Sequence, residues 1–117
     1  MRLVLMKGGV ETLTFFANEI ARFFRDKGYK IFWYDLEDSY ASYKHLKRFI
    51  KPHETALLTF NFLGLSAEDY IFDADRGYIW GAYDVPVFNI VVDHPLYYKE
   101  RYELLPPRYY QFHIDKD

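Results

Sequence analysis

Apolar runs that end abruptly in polar or glycine-rich residues constrain the fold of this chain more than any other feature of its sequence. The clearest is FNIVVDHP at residues 88–95, where a β-branched run gives way to an acid, an imidazole and a proline. Such a run is typical of a strand buried on both faces of a sheet. We expect its polar end to emerge at the carboxyl end of the strand, where open α/β sheets bind their ligands.

The same pattern recurs elsewhere and makes five candidate strands. The other runs, each with the residues that follow it, are 4–6 before Lys7, Gly8 and Gly9, 31–34 before Asp35, 57–60 before Asn61, and 110–114 before Asp115. Parallel strands gather their carboxyl ends at one edge of a sheet, so the pattern predicts a single functional edge.

The bulk composition excludes several classes of protein. The chain has 117 residues, the size of one domain, and its formal net charge of −2 implies no general attraction to nucleic acid or anionic membranes. It contains no cysteine, which excludes a thiolate nucleophile, a disulfide framework and a cysteine-ligated metal. No apolar run approaches the roughly 20 residues of a membrane span. Because Met1 and Arg2 lead directly into the first run, we expect no signal peptide and a cytoplasmic location.

Helical periodicity is clearest over residues 10–27, where apolar side chains recur every three or four positions and Gly28 follows as a helix-ending residue. A second helix is predicted from near Ser39 to just before Pro52. Together with the strands on either side, the first helix forms a βαβ unit, whose crossover is right-handed almost without exception.

The span 61–84 is less regular. Ser66 is expected at a turn or at the start of a helix, where its hydroxyl is a suitable cap. A short helix is expected at 78–80, broken by Gly77 and Gly81.

With a further short helix at 96–103, the element order predicts an α/β fold: a five-stranded, parallel, doubly wound sheet in a Rossmann- or flavodoxin-like three-layer sandwich. We assign residues 1–117 to one such domain. In these folds a helix normally covers the fifth strand, but the sequence stops at Asp117. We therefore expect the chain to be the N-terminal half of a longer protein, with an exposed apolar surface through which it forms homo-oligomers.

The turn formed by Lys7, Gly8 and Gly9 is the first candidate binding element, with Lys7 as a substrate contact. A glycine pair between a strand and a helix lets backbone N–H groups approach an anion at the helix N-terminus. The turn is neither a dinucleotide fingerprint nor a phosphate-binding P-loop, which require glycines at other spacings. A tight turn without a ligand explains the same residues equally well.

Asp93 and His94 are the candidate catalytic pair. An imidazole beside a carboxylate acts as a general base near neutral pH, and Pro95 holds residue 94 out of the helical conformation. Alternatively, Asp93 caps the helix that follows while His94 packs beside it. Because neighbouring strand residues point to opposite faces, we expect no metal site formed by this pair with His113 and Asp115.

Other polar and aromatic residues are predicted near the same edge. Asp35 follows the second strand, where nucleotide-binding folds place an acid on a ribose, although an exposed loop carboxylate is the simpler interpretation. Asn61 is either a turn residue or a substrate contact. Tyr97 and Tyr98 belong to the core, stack on a sugar or base, or fill an interdomain cleft.

Two segments carry a resemblance to a known family: VFNIVVDHP at residues 87–95, followed by Tyr97 and Tyr98, and PPRYYQFHID at residues 106–115. Together with the glycine turn after the first strand, they resemble the amino-terminal region of bacterial glycosyltransferase-like proteins of the two-Rossmann-domain (GT-B) type, in particular the CgeB-like group. The resemblance spans most of the chain.

The resemblance implies that this domain binds a sugar acceptor, while a C-terminal domain outside this chain holds the nucleotide-sugar donor. It implies that Asp93 or His94 deprotonates the acceptor hydroxyl without a metal, and that Gly8 and Gly9 lie near the donor phosphates. No cofactor of the domain's own is expected. Alone, the domain is expected to be inactive or nearly so.

Two other functions fit the same residues. One is a small flavodoxin-like module that binds a nucleotide, a phosphate or a partner protein, and the other is a free-standing hydrolase that uses Asp93 and His94. A phosphoacceptor receiver domain is disfavoured, because it needs acids after the first strand and an aspartate after the third, where this chain has a lysine–glycine turn and Asn61. We expect no nucleic-acid partner and no membrane span.

Overall fold

The computed structural model of the chain describes residues 1–8, 11–92 and 105–114. The strands, in chain order, are β1 (Arg2–Lys7), β2 (Lys30–Asp35), β3 (Thr55–Phe60), β4 (Phe72–Asp73), β5 (Gly77–Tyr78), β6 (Val87–Val91) and β7 (Tyr109–His113). The helices are α1 (Glu11–Asp26), α2 (Ser39–Phe49) and α3 (Ile79–Ala82), with a 3₁₀ helix at Leu36–Asp38. The longer strands and the two long helices lie where the sequence pattern predicts them.

Five strands form one all-parallel sheet in the order β2-β1-β3-β6-β7. One row of neighbouring residues crosses the whole sheet, from Trp33 through Leu5, Leu58 and Phe88 to Tyr110. The strand order is that of flavodoxin-like folds, in which the second strand lies on one side of the first and the third strand lies on the other side. The predicted five-stranded parallel α/β fold is therefore confirmed.

Helix α1 covers one face of the sheet, over β1, β2 and β3. Ala17 and Ala21 are almost completely buried there, because their short side chains let the helix backbone approach the strands closely. Ile20 and Phe24 pack on either side of this contact, against the cluster that contains Leu5. The apolar spacing that predicted the helix thus corresponds only in part to its buried face, because Phe16 and Phe23 share the spacing but are exposed.

The opposite face is covered by α2 and by the segment that joins β3 to β6. Leu46 of α2 and Trp80 of α3 are fully buried against Val4, Leu57 and Val87 of the sheet. Helices therefore lie on both faces, as the doubly wound prediction requires.

Two details of the span 61–84 differ from expectation, and a third decides between two alternatives. Helix α3 continues through Gly81. A Cβ atom added there would lie 2.9 Å from Cδ of Pro107, so glycine allows the segment before β7 to pack against the helix. Gly77 belongs to β5, which forms a two-residue antiparallel hairpin with β4 that periodicity does not reveal. Of the two alternatives for Ser66, the structure excludes the helix start: the residue lies in a loop, where its hydroxyl donates to the carbonyl of Phe62 at 2.8 Å. The helix predicted at 96–103 lies outside the described residues.

Candidate functional site

The carboxyl ends of the five sheet strands lie along one edge, because the strands are parallel. Across the sheet, the residues at or just after these ends are Asp35, Lys7, Asn61, Val92 and His113. From β1 the chain continues to β2 on one side of it, and then to β3 on the other side. Ligands of open α/β sheets bind at the point where the strand order reverses in this way. The candidate site is therefore centred on the ends of β1 and β3.

The residues predicted from sequence for this site fall into two groups. Those at the described edge of the sheet are Lys7, Gly8 and Asn61. Those outside the described residues, whose roles stay predictions, are Gly9, Asp93, His94, Tyr97 and Tyr98.

Asn61 links the ends of β3 and β6. Its backbone N–H donates to the carbonyl of Ile90 at 3.0 Å, and its Oδ1 accepts a hydrogen bond from the N–H of Val92 at 2.8 Å. Its φ of 47° lies in the left-handed region, which asparagine tolerates better than most residues. The side chain thus extends the contact between the two strands and fixes the backbone immediately before Asp93.

The loop over residues 61–70 is held by side chains rather than by regular secondary structure. The Glu68 carboxylate accepts hydrogen bonds from the N–H groups of Gly64 at 2.8 Å and Ser66 at 2.7 Å. The indole N–H of Trp80 donates to the carbonyl of Gly64 at 3.0 Å. The non-glycine residues of this loop with positive φ are Asn61, Phe62, Ala67 and Tyr70. Each such conformation costs about 1 kcal/mol or more, so it persists only where the surroundings impose it, and the loop forms a preorganised wall of the site.

Asn89 is a polar side chain buried completely within β6. Its Oδ1 accepts a hydrogen bond from the N–H of Phe62 at 3.1 Å, and its Nδ2 donates to the Tyr109 hydroxyl at 2.9 Å. The Tyr109 hydroxyl donates to Oε1 of Gln111 at 2.5 Å, and Nε2 of Gln111 lies 2.6 Å from Nε2 of His113. A hydrogen-bonded chain therefore connects the core to the exposed His113 at the carboxyl edge.

The role of Asn89 was missed from the sequence, although the sequence contains a signal for it. An asparagine stands alone among apolar residues in the run at 88–92. Because buried polar groups are almost always hydrogen-bonded, this position should have indicated a structural polar contact beneath the site.

The carboxylate of Asp35 and the Cγ methylene of Glu37 lie close to Gly8, whose φ is +90°. An added Cβ would lie 3.2 Å from Cγ of Glu37 and 3.3 Å from Oδ1 of Asp35. The same Asp35 oxygen caps the 3₁₀ helix by accepting a hydrogen bond from the N–H of Glu37 at 3.0 Å. An anion at Gly8 would meet negative charge, whereas a hydroxyl group can donate to a carboxylate. These neighbours favour a hydroxyl-bearing ligand at Gly8 over a phosphate.

An acidic cavity of about 670 Å³ adjoins the turn. Its walls are Leu36, Glu37, Asp38, Ser39, Tyr40, Ala67, Glu68, Asp69 and Tyr70. Glu37 belongs both to this wall and to the surroundings of Gly8, so the two features are continuous. A second cavity, of about 440 Å³, lies between α3 and Pro107 at the amino ends of β6 and β7, away from the candidate site.

Within the described ranges, no group of three or more histidine, aspartate and glutamate side chains is arranged to hold a metal ion. Among the described helices, none combines the length and the apolar character needed to cross a membrane. Comparisons with protein-family models, with curated proteins and with solved structures give no match to this chain. Its function is therefore inferred from its own residues.

Proposed function

We propose that this chain is the acceptor-side domain of a sugar-nucleotide-dependent glycosyltransferase and binds a hydroxyl-rich acceptor at the carboxyl edge of its sheet. The observation that carries the proposal is the reversal of strand order between β1 and β3, which brings Lys7 and Asn61 to adjacent strand ends. The resemblance of residues 87–95 and 106–115 to the GT-B group supplies the reaction class.

The charges at the edge support an acceptor more than a nucleotide. The carboxylate of Asp35 lies against Gly8, and the residues lining the adjoining cavity include Glu37, Glu68 and Asp69. Carboxylates accept hydrogen bonds from sugar hydroxyls and repel the phosphates of a donor. A neutral saccharide therefore suits this edge, and the donor phosphates fit better on a separate domain.

The proposed base is Asp93 or His94, directly after Val92. Asn61 holds the N–H of Val92, so the backbone that leads into this pair is fixed relative to the end of β3. In the proposed reaction the base removes the proton of the acceptor hydroxyl, and the resulting oxygen nucleophile attacks the sugar carbon of the donor. The leaving nucleotide departs with the C–O bond electrons.

Ligand titrations followed by NMR test the binding step. We expect neutral di- and oligosaccharides to shift the backbone amide signals of Gly8, Asn61 and Val92, and inorganic phosphate and nucleotides to leave them unchanged. Lys7→Ser should weaken saccharide binding, and Lys51→Ser, at another exposed lysine away from this edge, should not. If saccharides leave all three signals unmoved, the acceptor-side proposal fails.

The strand order also favours a second candidate, a flavodoxin-like module that binds a nucleotide or a phosphate. In that case nucleotides or phosphate, and not saccharides, should shift the amide of Gly8 and raise the melting temperature. A hydrolase would differ from both, because the chain alone would turn over substrate and His94→Ala would abolish the turnover.

A further inference from the structure

We propose that the sheet face opposite Asn89, at β6 and β7, packs against the same face of a second copy of this chain. The apolar face, as we call it, consists of Phe16, Phe88, Tyr110, Phe112 and Ile114. This inference does not depend on the proposed function, since the face does not include the acidic residues beside Gly8.

Strand alternation separates the two sides of β6 and β7. In β6, Val87, Asn89 and Val91 are fully buried, whereas Phe88 and Ile90 between them are only half-buried. Tyr110 and Phe112 of β7 lie beside these two half-buried residues in the sheet register. The half-covered residues therefore share one face, the one that α1 covers further along the sheet.

The aromatic rings of this face contact one another. The ring centroids of Phe88 and Tyr110 are 5.1 Å apart with planes 17° from parallel, and those of Phe88 and Phe112 are 6.5 Å apart. Phe16 of α1 extends the face, because its ring lies 6.3 Å from that of Phe60, which packs with Ile90. The rings of β6 and β7 thus form one continuous surface, and Phe16 lies beside it across the buried ring of Phe60.

The four most exposed side chains of the apolar face supply about half of the area that each partner buries in a stable interface. Phe16, Tyr110, Phe112 and Ile114 are 47%, 48%, 54% and 53% exposed. Since large apolar side chains have about 200 Å² of surface each, these four leave about 400 Å² accessible. That is within the range of the largest apolar patches on monomers, and it is about half of the roughly 800 Å² that each partner buries in a stable complex. The half-buried Phe88 and Ile90 and the rim of the face can supply more.

The charge pattern favours a second copy as the occupant. Within the strands, Val87–Val91 and Tyr109–His113 contain no aspartate, glutamate, lysine or arginine. Two such faces therefore meet without like-charge repulsion, and a two-fold axis would place identical rings against each other. At the other end of the sheet, Ile31 and Trp33 on the same face pack beneath α1, so the uncovered part of this sheet face lies at β6 and β7.

Sedimentation velocity across a concentration series tests the proposal. We expect the wild-type chain to change from a monomer of 14.2 kDa to a dimer between about 1 μM and about 1 mM. Phe112→Glu and Tyr110→Glu should each weaken the dimer at least 30-fold, roughly the effect of an interface hot spot. Tyr40→Glu alters an equally exposed ring on α2, at 57% exposure, and should leave the dimer unchanged.

A second measurement keeps the test independent of whether the glutamate variants fold. In a mixture of isotope-labelled and unlabelled wild-type chains, isotope-filtered NMR should detect intermolecular contacts to the ring of Phe112. A chain that stays monomeric at every concentration would overturn the proposal and leave the face to a different protein. A dimer without intermolecular contacts to Phe112 and Tyr110 would overturn it as well.

Discussion

The Nδ2 group of Asn89 donates a hydrogen bond of 2.9 Å to the hydroxyl of Tyr109, which joins the fully buried centre of β6 to the neighbouring strand β7. Through its Oδ1, the same side chain accepts from the N–H of Phe62, in the loop that borders the candidate site. One buried amide therefore fastens both the loop after β3 and the last described strand.

Removal of this amide should be strongly destabilising. We expect Asn89→Ala to lower the free energy of unfolding by about 3 kcal/mol, because it removes a partner of the Phe62 N–H and leaves a cavity in the core. Tyr109→Phe should lower it by about 1 kcal/mol. Urea denaturation of both single variants and the double variant measures the coupling. Strictly additive effects would contradict a direct Asn89–Tyr109 interaction.

The stability of the protein should depend both on the side-chain oxygen of Asn61 and on the left-handed backbone conformation of this residue. Asn61→Asp keeps an acceptor for the N–H of Val92 and should be nearly neutral. Asn61→Gly suits the φ of 47° but loses the acceptor, and Asn61→Ala loses both, so we expect a loss of about 1 kcal/mol for glycine and about 2 kcal/mol for alanine. Hydrogen exchange of the Val92 amide provides the local readout. If that amide exchanges equally slowly in the aspartate and alanine variants, the Asn61 side chain is not what protects it.

The strands and long helices were predictable because local sequence patterns encode them. The apolar run at residues 57–60 and the three- and four-residue spacing over 10–27 correspond to β3 and α1. The loop 61–70 was not predictable, because its supports lie far away in the sequence. The N–H of Phe62 is held by Asn89, which is 27 positions away.

The sequence predicted which residues share the edge of the sheet better than it predicted the contacts that they make there. The pattern correctly indicated that Lys7, Gly8 and Asn61 follow parallel strands and share an edge. It did not indicate that Asn61 holds the backbone at the end of β6, nor that the carboxylate of Asp35 lies against Gly8. Asp35 is the last residue of β2, and the register of β1 beside β2 brings its carboxylate next to the turn at Gly8.

Gly64 and Gly28 offer a matched pair for testing close packing at the site wall. Both have positive φ, +80° and +89°, but an added Cβ at Gly64 would lie 2.4 Å from Cε of Met6, whereas nothing lies within 4 Å at Gly28. We expect Gly28→Ala to lower the free energy of unfolding by about 1 kcal/mol through backbone strain alone. Gly64→Ala should lower it by about 2 to 3 kcal/mol, because the buried Met6 must also move.

Met6→Ala shortens the side chain next to Gly64. In double variants it should restore part of the additional loss of unfolding free energy caused by Gly64→Ala, and none of the loss caused by Gly28→Ala. Thermal and urea unfolding of the single and double variants measure both effects. Equal losses at the two glycines would show that Met6 is not in close contact with the loop.

Tyr34 should make the stability of the protein fall at alkaline pH. Its side chain is completely buried and donates a hydrogen bond to the carbonyl of Ser39 at 3.3 Å, and burial raises its pKa above the ordinary value of 10.0. The phenol therefore ionises more readily in the unfolded chain than in the folded one. Its contribution is fully present below pH 10.0 and is lost as the pH rises from there through the higher pKa of the folded state.

Tyr34→Phe removes this titration. At neutral pH the variant should be less stable by about 1 kcal/mol, through the lost hydrogen bond, but its stability should fall less steeply above pH 10.0 than that of the wild type. Tyr40→Phe is the control, because it removes the same hydroxyl group from a side chain that is 57% exposed. Urea denaturation at a series of pH values compares the slopes. Parallel curves for the wild type and Tyr34→Phe would mean that Tyr34 ionises as easily in the folded protein as in the unfolded chain, and that water reaches its hydroxyl.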